Sequence, residues 1–358
     1  METSRNIIDL PVELIDRIFK NLEESDQCHL AHSHPFLRNC FIYHVGNRYS
    51  NVISSLCFKN WKTILPVCGS TVHHIVEEFH ILDESLMRLI EQHCINLESI
   101  QIGINRRNYR RVKTFLDNLK SLSSVRLWVE CAVTERMFSV LREIKHLKGL
   151  EFLRYSRSYS KQISNFGQLE HLAITINEYR LKVDVLEWCY GLQNLRSLKL
   201  DGMDYWRSNY ECTEIIALEE LEVRDCDVSY KWPIFHNLKT LNAHSDKSLA
   251  TIQFAIRHSK SLEKLILSYA YDSNLFDLLN GCKNLRYLEI QQLSMQINKE
   301  ELILMIEILK KNGVTQQNPF TLKLDPIMNH IGALLLEIPG SEIVHFLSNK
   351  KLLDSETK

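Results

Sequence analysis

The stretches NLRSLKL at 194–200, ALEELEV at 217–223 and NLKTLNA at 237–243 carry the same pattern, Leu-x-x-Leu-x-Leu. Nine copies recur along the chain at intervals of 19 to 28 residues. Their apolar positions are 97, 100 and 102; 122, 125 and 127; 150, 153 and 155; 169, 172 and 174; 195, 198 and 200; 218, 221 and 223; 238, 241 and 243; 262, 265 and 267; and 285, 288 and 290. Each copy predicts a short strand whose alternate side chains enter a shared core. One such unit cannot bury its apolar face alone, so the pattern predicts a stacked solenoid, a fold that typically binds other molecules.

Helical spacing of apolar residues between the strands predicts an α/β solenoid, with parallel strands inside and helices outside. The segment Lys299–Lys311 is the strongest of these helical patterns. We expect a helical domain at 1–49, a linker with capping repeats at 50–94, the repeats at 95–325, and a C-terminal cap and tail at 326–358. Atypical first strands are predicted near 52–58 and 72–79, a last strand at 320–324, and a partly helical cap at 327–346.

Composition favours a soluble binding protein of a reducing compartment. The net charge of −1 gives no overall attraction to nucleic acid or to an anionic membrane surface. We find no signal peptide pattern and no apolar run long enough to span a membrane. The ten cysteines are scattered, without a Cys-x-x-Cys pair, so we expect buried thiols and a cytoplasmic or nuclear location.

Residues 7–49 predict three short helices ahead of the repeats. Pro11 suits a first helical turn, because its missing N–H needs no partner there. Helical spacing then follows at Leu14, Ile15, Ile18, Phe19 and Leu22. Asp26 can cap a second helix, and Pro35 opens a third. A bundle of about 40 residues is marginally stable on its own, so we expect an apolar surface that a partner covers.

This segment resembles an F-box at Leu10-Pro11, Glu13-Leu14, Ile18-Phe19, Leu22, Asp26 and Leu30-Ala31. An F-box followed by leucine-rich repeats resembles the substrate receptor of a Skp–cullin–F-box ubiquitin ligase, and the resemblance covers nearly the whole chain. It implies a non-catalytic subunit that binds a Skp-type adaptor, and through it a cullin, and that holds a protein substrate on the repeats. The residues that it implies for adaptor binding are Leu10, Pro11, Leu14, Ile18, Phe19 and Leu30. Many F-boxes carry Trp in the third helix, where this chain has Phe36 or Leu37.

Strand alternation predicts which side chains of the repeats face outward, away from the shared core. Arginine and aromatic residues are enriched at protein-binding hot spots. We therefore predict substrate binding by Arg126, Trp128, Phe152, Arg154, Lys199, Glu222 and Arg224. The alternatives are that a neighbouring loop covers the two aromatic residues, and that the charged residues of the later strands pair with one another.

Two further clusters have simpler explanations. The basic run from Arg106 to Lys113 could bind a phosphorylated or acidic partner or a nucleic-acid backbone, but such runs are usually solvated surface, and we do not expect nucleic acid as a partner. The group Cys28, His29, His32 and His34 matches no common zinc spacing. No catalytic motif is present, so we expect no metal, no cofactor and no enzymatic activity.

Three functions remain open from the sequence. The first is the ubiquitin-ligase receptor. The second is an interaction scaffold whose N-terminal helices bind something other than the Skp adaptor, or bind it outside a ligase. The third is a nucleic-acid-associated factor that uses the basic run, and it requires binding that falls steeply with salt.

Overall fold

The protein divides into two compact units, Met1–Ser156 and Arg157–Lys358, in the computed structural model. The structure describes residues 6–53, 61–76, 82–105, 107–129, 138, 141–144, 146–153, 163–176, 181–183, 191–205, 217–226, 232, 234–244, 248–270, 272–293, 297–325 and 328–348. Of the predicted substrate-binding residues, Arg154 lies outside these ranges.

The first unit begins with a short 3-10 turn, Ile7–Asp9, and three helices: α1 (Val12–Lys20), α2 (Glu24–Ser33) and α3 (Pro35–Val45). Ile15 and Phe19 of α1 and Phe41 of α3 are fully buried between them. A fourth helix, α4 (Trp61–Cys68), packs against both α2 and α3. The buried Ile64 and Leu65 of α4 therefore enlarge a core that three short helices alone would leave small.

The same unit continues with five parallel strands that pair in chain order, namely β1 (Asn51–Ile53), β2 (His74–Val76), β3 (Ser99–Ile104), β4 (Ser124–Val129) and β5 (Gly149–Phe152). Helix α5 (Glu84–His93) precedes β3, and α6 (Tyr109–Asn118) lies between β3 and β4. The sequence analysis assigned α4 and α5 to a linker and missed both helices. The sequence does contain a start signal for α5, since Asp83 is a favourable N-cap residue. In the structure, Asp83 accepts a hydrogen bond from the Leu86 N–H at 2.8 Å and caps the helix.

In its described residues, the second unit contains eight parallel strands, which pair in the order β6 (His171–Thr175), β8 (Ser197–Asp201), β10 (Glu220–Arg224), β11 (Thr240–His244), β12 (Lys264–Ala270), β13 (Tyr287–Leu293), β14 (Phe320–Leu324) and β15 (Val344–Ser348). Two further strands, β7 (Leu181–Val183) and β9 (Met203–Tyr205), form a separate parallel pair. Its helices are α7 (Ser248–Arg257), α8 (Asp272–Gly281), α9 (Lys299–Lys311) and α10 (Asn329–Leu336). The predicted strand at 320–324 is confirmed. The C-terminal cap is α10 followed by β15, a strand that the sequence analysis did not predict.

Strand register explains why the leucine pattern repeats. Leu172 pairs with Leu198, Leu198 with Leu221, and Leu221 with Leu241, so the same motif position forms a continuous buried row. All four side chains are at most 2% exposed. Each unit thus has the α/β arrangement of a leucine-rich-repeat solenoid, with parallel strands that alternate with helical segments.

The third copy of the motif lies in a different register from the one that the sequence pattern predicts. In the structure Val125 pairs with Leu150 and Leu127 with Phe152, so this copy consists of Leu147, Leu150 and Phe152. The predicted copy begins three residues too late. With this correction the interval between copies narrows to 20–26 residues.

A ladder of polar side chains supports the corrected register. In several copies the polar residue just before the first leucine hydrogen-bonds to a backbone carbonyl 24 to 27 residues earlier in the chain. Asn96, Ser121, Asn194 and Asn284 each donate such a bond, at 2.7–2.8 Å. His146 makes the equivalent contact with the Leu119 carbonyl at 3.3 Å, which places Leu147 at the first motif position.

Candidate protein-interaction surfaces

Helix α1 has two apolar faces, and the bundle covers only one of them. Ile15 and Phe19 are fully buried, whereas Val12 is 36% exposed and Leu14 is 43% exposed. Leu14 and Ile18 are four residues apart and therefore neighbours on the helix surface, and Ile18 is half-buried. We define the helix-1 ridge as Leu10, Pro11, Leu14 and Ile18, of which Pro11 is exposed and Leu10 half-buried. Val12 points away from this ridge, because it is two residues before Leu14 on the helix.

Phe19 does not belong to this ridge, which corrects the prediction that it contacts an adaptor. Its ring is fully buried, with its centroid 5.4 Å from that of Phe41 and 5.5 Å from the stacked ring of His44. The helical spacing that selected Phe19 also selects core residues, so sequence alone did not separate the two faces.

Polar contacts fix the orientation of α1 in the bundle. The Asp16 carboxylate lies 2.7 Å from Nδ1 of His44 on α3 and 2.7 Å from Nζ of Lys20. Hydrogen bonds from Lys20, and next from His44, hold the pKa of Asp16 below its usual value. At the end of α1, Gln27 Nε2 donates to the carbonyls of Phe19 and Leu22 at 2.7 and 2.9 Å. The ridge is therefore presented by a helix that the bundle holds in place.

The second and third helices differ in what they expose. Leu30, also predicted to bind an adaptor, is half-buried on α2, whereas Cys28 is in the core at 1% exposure. On α3, Tyr43 is 73% exposed, which makes it the most exposed aromatic residue that the structure describes in this bundle. The sequence alone gave Tyr43 no predicted role in binding.

The histidines near Cys28 have partners of their own. His32 Nε2 lies 3.0 Å from the carbonyl of Thr63, and His34 Nδ1 accepts a hydrogen bond from the Phe36 N–H at 3.1 Å. Within the described ranges, no three His, Cys, Asp or Glu residues form a group that could hold a metal ion.

The outward face of the first unit's strands carries a polar row across β3, β4 and β5. Arg126 Nε donates to Glu151 at 2.6 Å, and its Nη1 donates to Gln101 Oε1 at 3.4 Å. Trp128 lies beside this row and is half-buried. Phe152 was predicted to face outward here, but it is fully buried against Phe138, with ring centroids 5.8 Å apart. Glu151 occupies the outward position instead, as the corrected register requires.

The outward face of the second unit's strands contains paired charges. Lys199 on β8 lies 2.9 Å from Glu222 on β10, and Arg224 lies 3.6 Å from the same carboxylate. These three predicted substrate-binding residues therefore do pair with one another, which is the alternative that the sequence left open.

A second network lies on β13 and β14. Glu289 is 2.9 Å from Lys323 Nζ and accepts a hydrogen bond from the Tyr287 hydroxyl at 2.7 Å. Burial alone would raise the pKa of Glu289, but hydrogen bonds from Lys323 and Tyr287 hold it below its usual value. The same burial, with the bond to Glu289, raises the pKa of Tyr287 to about 12. These opposite shifts keep the carboxylate charged and the phenol protonated at neutral pH.

Two of the four described basic residues in the basic run of the first unit form ion pairs. Arg111 pairs with Glu91 at 3.0 Å, and Lys113 pairs with Glu143 at 2.7 Å. Arg110 donates to the Tyr109 hydroxyl at 2.9 Å. Arg106 lies outside the described residues. These contacts favour the solvated-surface interpretation over a phosphate-binding cluster.

No protein-family model matches this chain, and none of the curated proteins compared with it matches. Solved structures that partly overlap with it include an internalin of Listeria monocytogenes, at 16% identity and a TM-score of 0.38, over 69% of this chain and 67% of the internalin. Internalin C2 of the same organism shares 18% identity at a TM-score of 0.30, over 58% of this chain and 84% of its own. A TLR13–ssRNA13 complex shares 14% identity at a TM-score of 0.28, over 74% of this chain and 48% of its own. The fold assignment rests on strand register and not on these overlaps.

None of the helices in the described ranges has both the length and the apolarity that a membrane crossing requires.

Proposed function

We propose that this protein is the substrate receptor of a Skp–cullin–F-box-type ubiquitin ligase. The observation that carries the proposal is the helix-1 ridge, an apolar surface that the bundle leaves exposed at Leu14, while Ile15 and Phe19 of the same helix are fully buried. Leu10, Pro11, Leu14 and Ile18 of this ridge are all among the residues at which the sequence resembles an F-box. Apolar patches that a fold leaves uncovered commonly mark protein-binding sites.

The adaptor-binding residues in this proposal are Leu10, Pro11, Leu14, Ile18 and Leu30. Burying a leucine side chain at an interface contributes roughly 1.5–3 kcal/mol. Because Leu14 is 43% exposed in the free protein, its further burial contributes about 0.6–1.3 kcal/mol, and its loss should weaken adaptor binding about three- to ninefold.

The chain itself performs no chemistry in this proposal. The adaptor and cullin bring a ubiquitin-charged enzyme to one end of the receptor, and the strand faces hold the substrate. The bound substrate's lysines then react at a raised local concentration. Arg126, Trp128, Lys199, Glu222 and Arg224 remain the predicted substrate contacts among the described residues, while Phe152 is removed from that set because it is buried.

The first experiment is a pull-down of the full chain with a Skp adaptor and cullin. Three variants accompany the wild type: the triple variant Leu10→Ala/Pro11→Ala/Ile18→Glu, Leu14→Glu, and the control Asn39→Glu. Asn39 is exposed on α3, so its substitution adds the same charge to the bundle away from the ridge. We expect the wild type and the control to be retained and both ridge variants to be lost, with unchanged circular dichroism spectra.

Two results would contradict the proposal. If the folded wild type is not retained, the protein is a leucine-rich-repeat scaffold whose N-terminal helices have another partner. If Asn39→Glu is lost together with the ridge variants, the bundle responds to added charge in general and the ridge is not the binding site.

A further inference from the structure

The outward face of the second unit contains a depression of about 350 Å³ across β6, β8, β10, β11 and β12. Small side chains leave this space open, because Ala173, Ser197 and Thr240 occupy the outward positions between longer residues. Four charged side chains line it, Lys199, Glu220, Glu222 and Lys264. Its volume is near the lower end of the range for ligand pockets, and its position on a sheet face suits part of a polypeptide better than an enclosed small molecule.

Two of the four charges are satisfied within the protein and two are not. Lys199 and Glu222 form an ion pair at 2.9 Å. Glu220 is exposed between Ser197 and Thr240, its register partners, and has no ion-pair partner in the part of the chain that the structure describes. The Lys264 ammonium makes no ion pair within those ranges, although it interacts electrostatically with the Glu289 carboxylate, which is paired with Lys323. The depression therefore offers one open negative and one open positive group.

The open positive group is held in place by its neighbours. Lys264 Nζ lies 4.9 Å from the centroid of the Tyr287 ring, a cation–π contact that leaves its hydrogen-bond donors available. The Tyr287 hydroxyl is itself fixed by its bond to Glu289, which Lys323 neutralises. A cation positioned in this way loses less side-chain entropy when an anion binds.

The depression also contains an unsatisfied hydrogen-bond acceptor. Asn242 lies on the strand between Glu220 and Lys264, and its side-chain oxygen is buried without a donor in the described structure. A buried acceptor of this kind costs free energy until a donor reaches it. Backbone N–H groups of a bound peptide are donors of the required kind.

We propose that this depression binds an extended peptide segment of the substrate that carries one basic and one acidic side chain. The basic side chain pairs with Glu220 and the acidic one with Lys264. Because β10 and β12 are two strands apart, about 9–10 Å separates the two positions, which corresponds to two or three residues of an extended chain. The inference rests on the proposed function only in calling this segment part of a substrate.

An oriented peptide library tests the proposal even though the substrate is unidentified. Immobilised full-length protein is exposed to random peptides, and the bound fraction is sequenced for preferences at each pair of positions. We expect the wild type to enrich Lys or Arg together with Asp or Glu two or three residues away. The expected enrichment is roughly two- to fivefold, the range that a partly exposed ion pair supplies.

Charge reversals assign each preference to its residue. Glu220→Lys should lose the basic preference and keep the acidic one, and Lys264→Glu should do the opposite. The double variant Glu220→Lys/Lys264→Glu should select the two charges in reversed order. Glu263→Lys is the matched control, because Glu263 is exposed next to Lys264 but does not line the depression. Where a reversal lowers the melting temperature, Glu220→Gln and Lys264→Met replace it.

The proposal is overturned if the wild type shows no paired charge preference, or if each folded single variant loses both preferences or neither. Selection of acidic peptides alone would indicate a general anion-binding face instead. All of these variants should still be retained by the Skp adaptor, since none touches the helix-1 ridge. Loss of adaptor retention by the wild type would therefore refute the proposed function while leaving the peptide result interpretable.

Discussion

The N-terminal bundle and the repeats of the second unit bury leucine in different ways. In the repeats Leu198, Leu221 and Leu241 are at most 1% exposed, because each copy supplies the apolar neighbour that the preceding copy needs. In the bundle Leu14 is 43% exposed, since no second copy of α1 exists to cover it. Neighbouring copies of a repeat therefore bury each other's apolar side chains, except at the two ends of the array. For this reason, an exposed apolar side chain indicates a binding partner more strongly in a non-repeating element than the leucine motif does in a repeat.

The sharpest test of this comparison removes one leucine from each region. Leu221→Ala leaves a cavity in a continuous buried row and should lower the free energy of unfolding by about 2–5 kcal/mol. Leu14→Ala should lower it by about 1 kcal/mol or less, because 43% of Leu14 is exposed and no closed cavity forms. Urea unfolding followed by circular dichroism measures both. Comparable losses would mean that Leu14 is a structural residue, and the helix-1 ridge would lose its support as a binding surface.

Close packing in the second unit also predicts a difference between two glycines. Gly202 and Gly313 have nearly the same positive φ, 76° and 77°. A Cβ at Gly202 would lie 2.5 Å from the Ile176 carbonyl oxygen, whereas nothing lies within 4 Å of one at Gly313. We expect Gly202→Ala to cost about 2–3 kcal/mol and Gly313→Ala about 1 kcal/mol. Thermal unfolding of the two variants checks this, and equal costs would show that backbone strain alone matters at both positions.

The sequence predicted the repeat fold well because the pattern is redundant. Eight of the nine copies were placed in the correct register. The third copy was misplaced, because both Leu150 and Leu153 fit the second position of the motif. The polar residue that precedes the first leucine in several copies resolves that choice in favour of Leu147, as His146 shows. Helices α4 and α5 were missed because they occur once and fall outside the repeat.

The candidate surfaces were less predictable, for two physical reasons. Helical spacing identifies apolar residues but does not say which face of α1 another helix covers, so Phe19 and Leu14 were assigned the same role. Strand alternation identifies outward charges, but only three-dimensional neighbours decide which of them pair. Lys199 and Glu222 are joined across adjacent strands, while Glu220 stands between Ser197 and Thr240.

Buried cysteines report how often each region opens. Burial raises the pKa of Cys28 in α2 to about 11 and that of Cys282 after α8 to about 12, so neither thiol should react while folded. Because the bundle has the smaller core, we expect Cys28 to be alkylated about tenfold faster than Cys282, which corresponds to about 1.4 kcal/mol in local opening. Iodoacetamide labelling of the native protein followed by peptide mass spectrometry measures this ratio. Faster labelling of Cys282 would reverse the ranking of the two regions.

The smallest expected effect concerns pH and the Asp16 contacts that fix α1. The pKa of Asp16 is lowered in the folded state by hydrogen bonds from Lys20 and then His44, so ionised Asp16 stabilises the fold above its unfolded value of 3.8. That contribution is lost as the pH falls through the lower, folded pKa. We therefore expect Asp16→Asn to lower the melting temperature of the bundle at pH 6, and the difference from wild type to shrink as the pH drops below 3.8.

Glu13→Gln is the matched control for this pH series, because Glu13 is an exposed carboxylate of the same helix with no ion pair in the described ranges. It should lower the melting temperature less than Asp16→Asn does at pH 6. A difference between wild type and Asp16→Asn that persists unchanged into acid would show that Asp16 acts through the shape and hydrogen bonding of its side chain and not through its charge. The orientation of α1, and with it the helix-1 ridge, would then depend on uncharged contacts, namely the hydrogen bonds of Asp16 and Gln27 and the packing of Phe19 against Phe41 and His44.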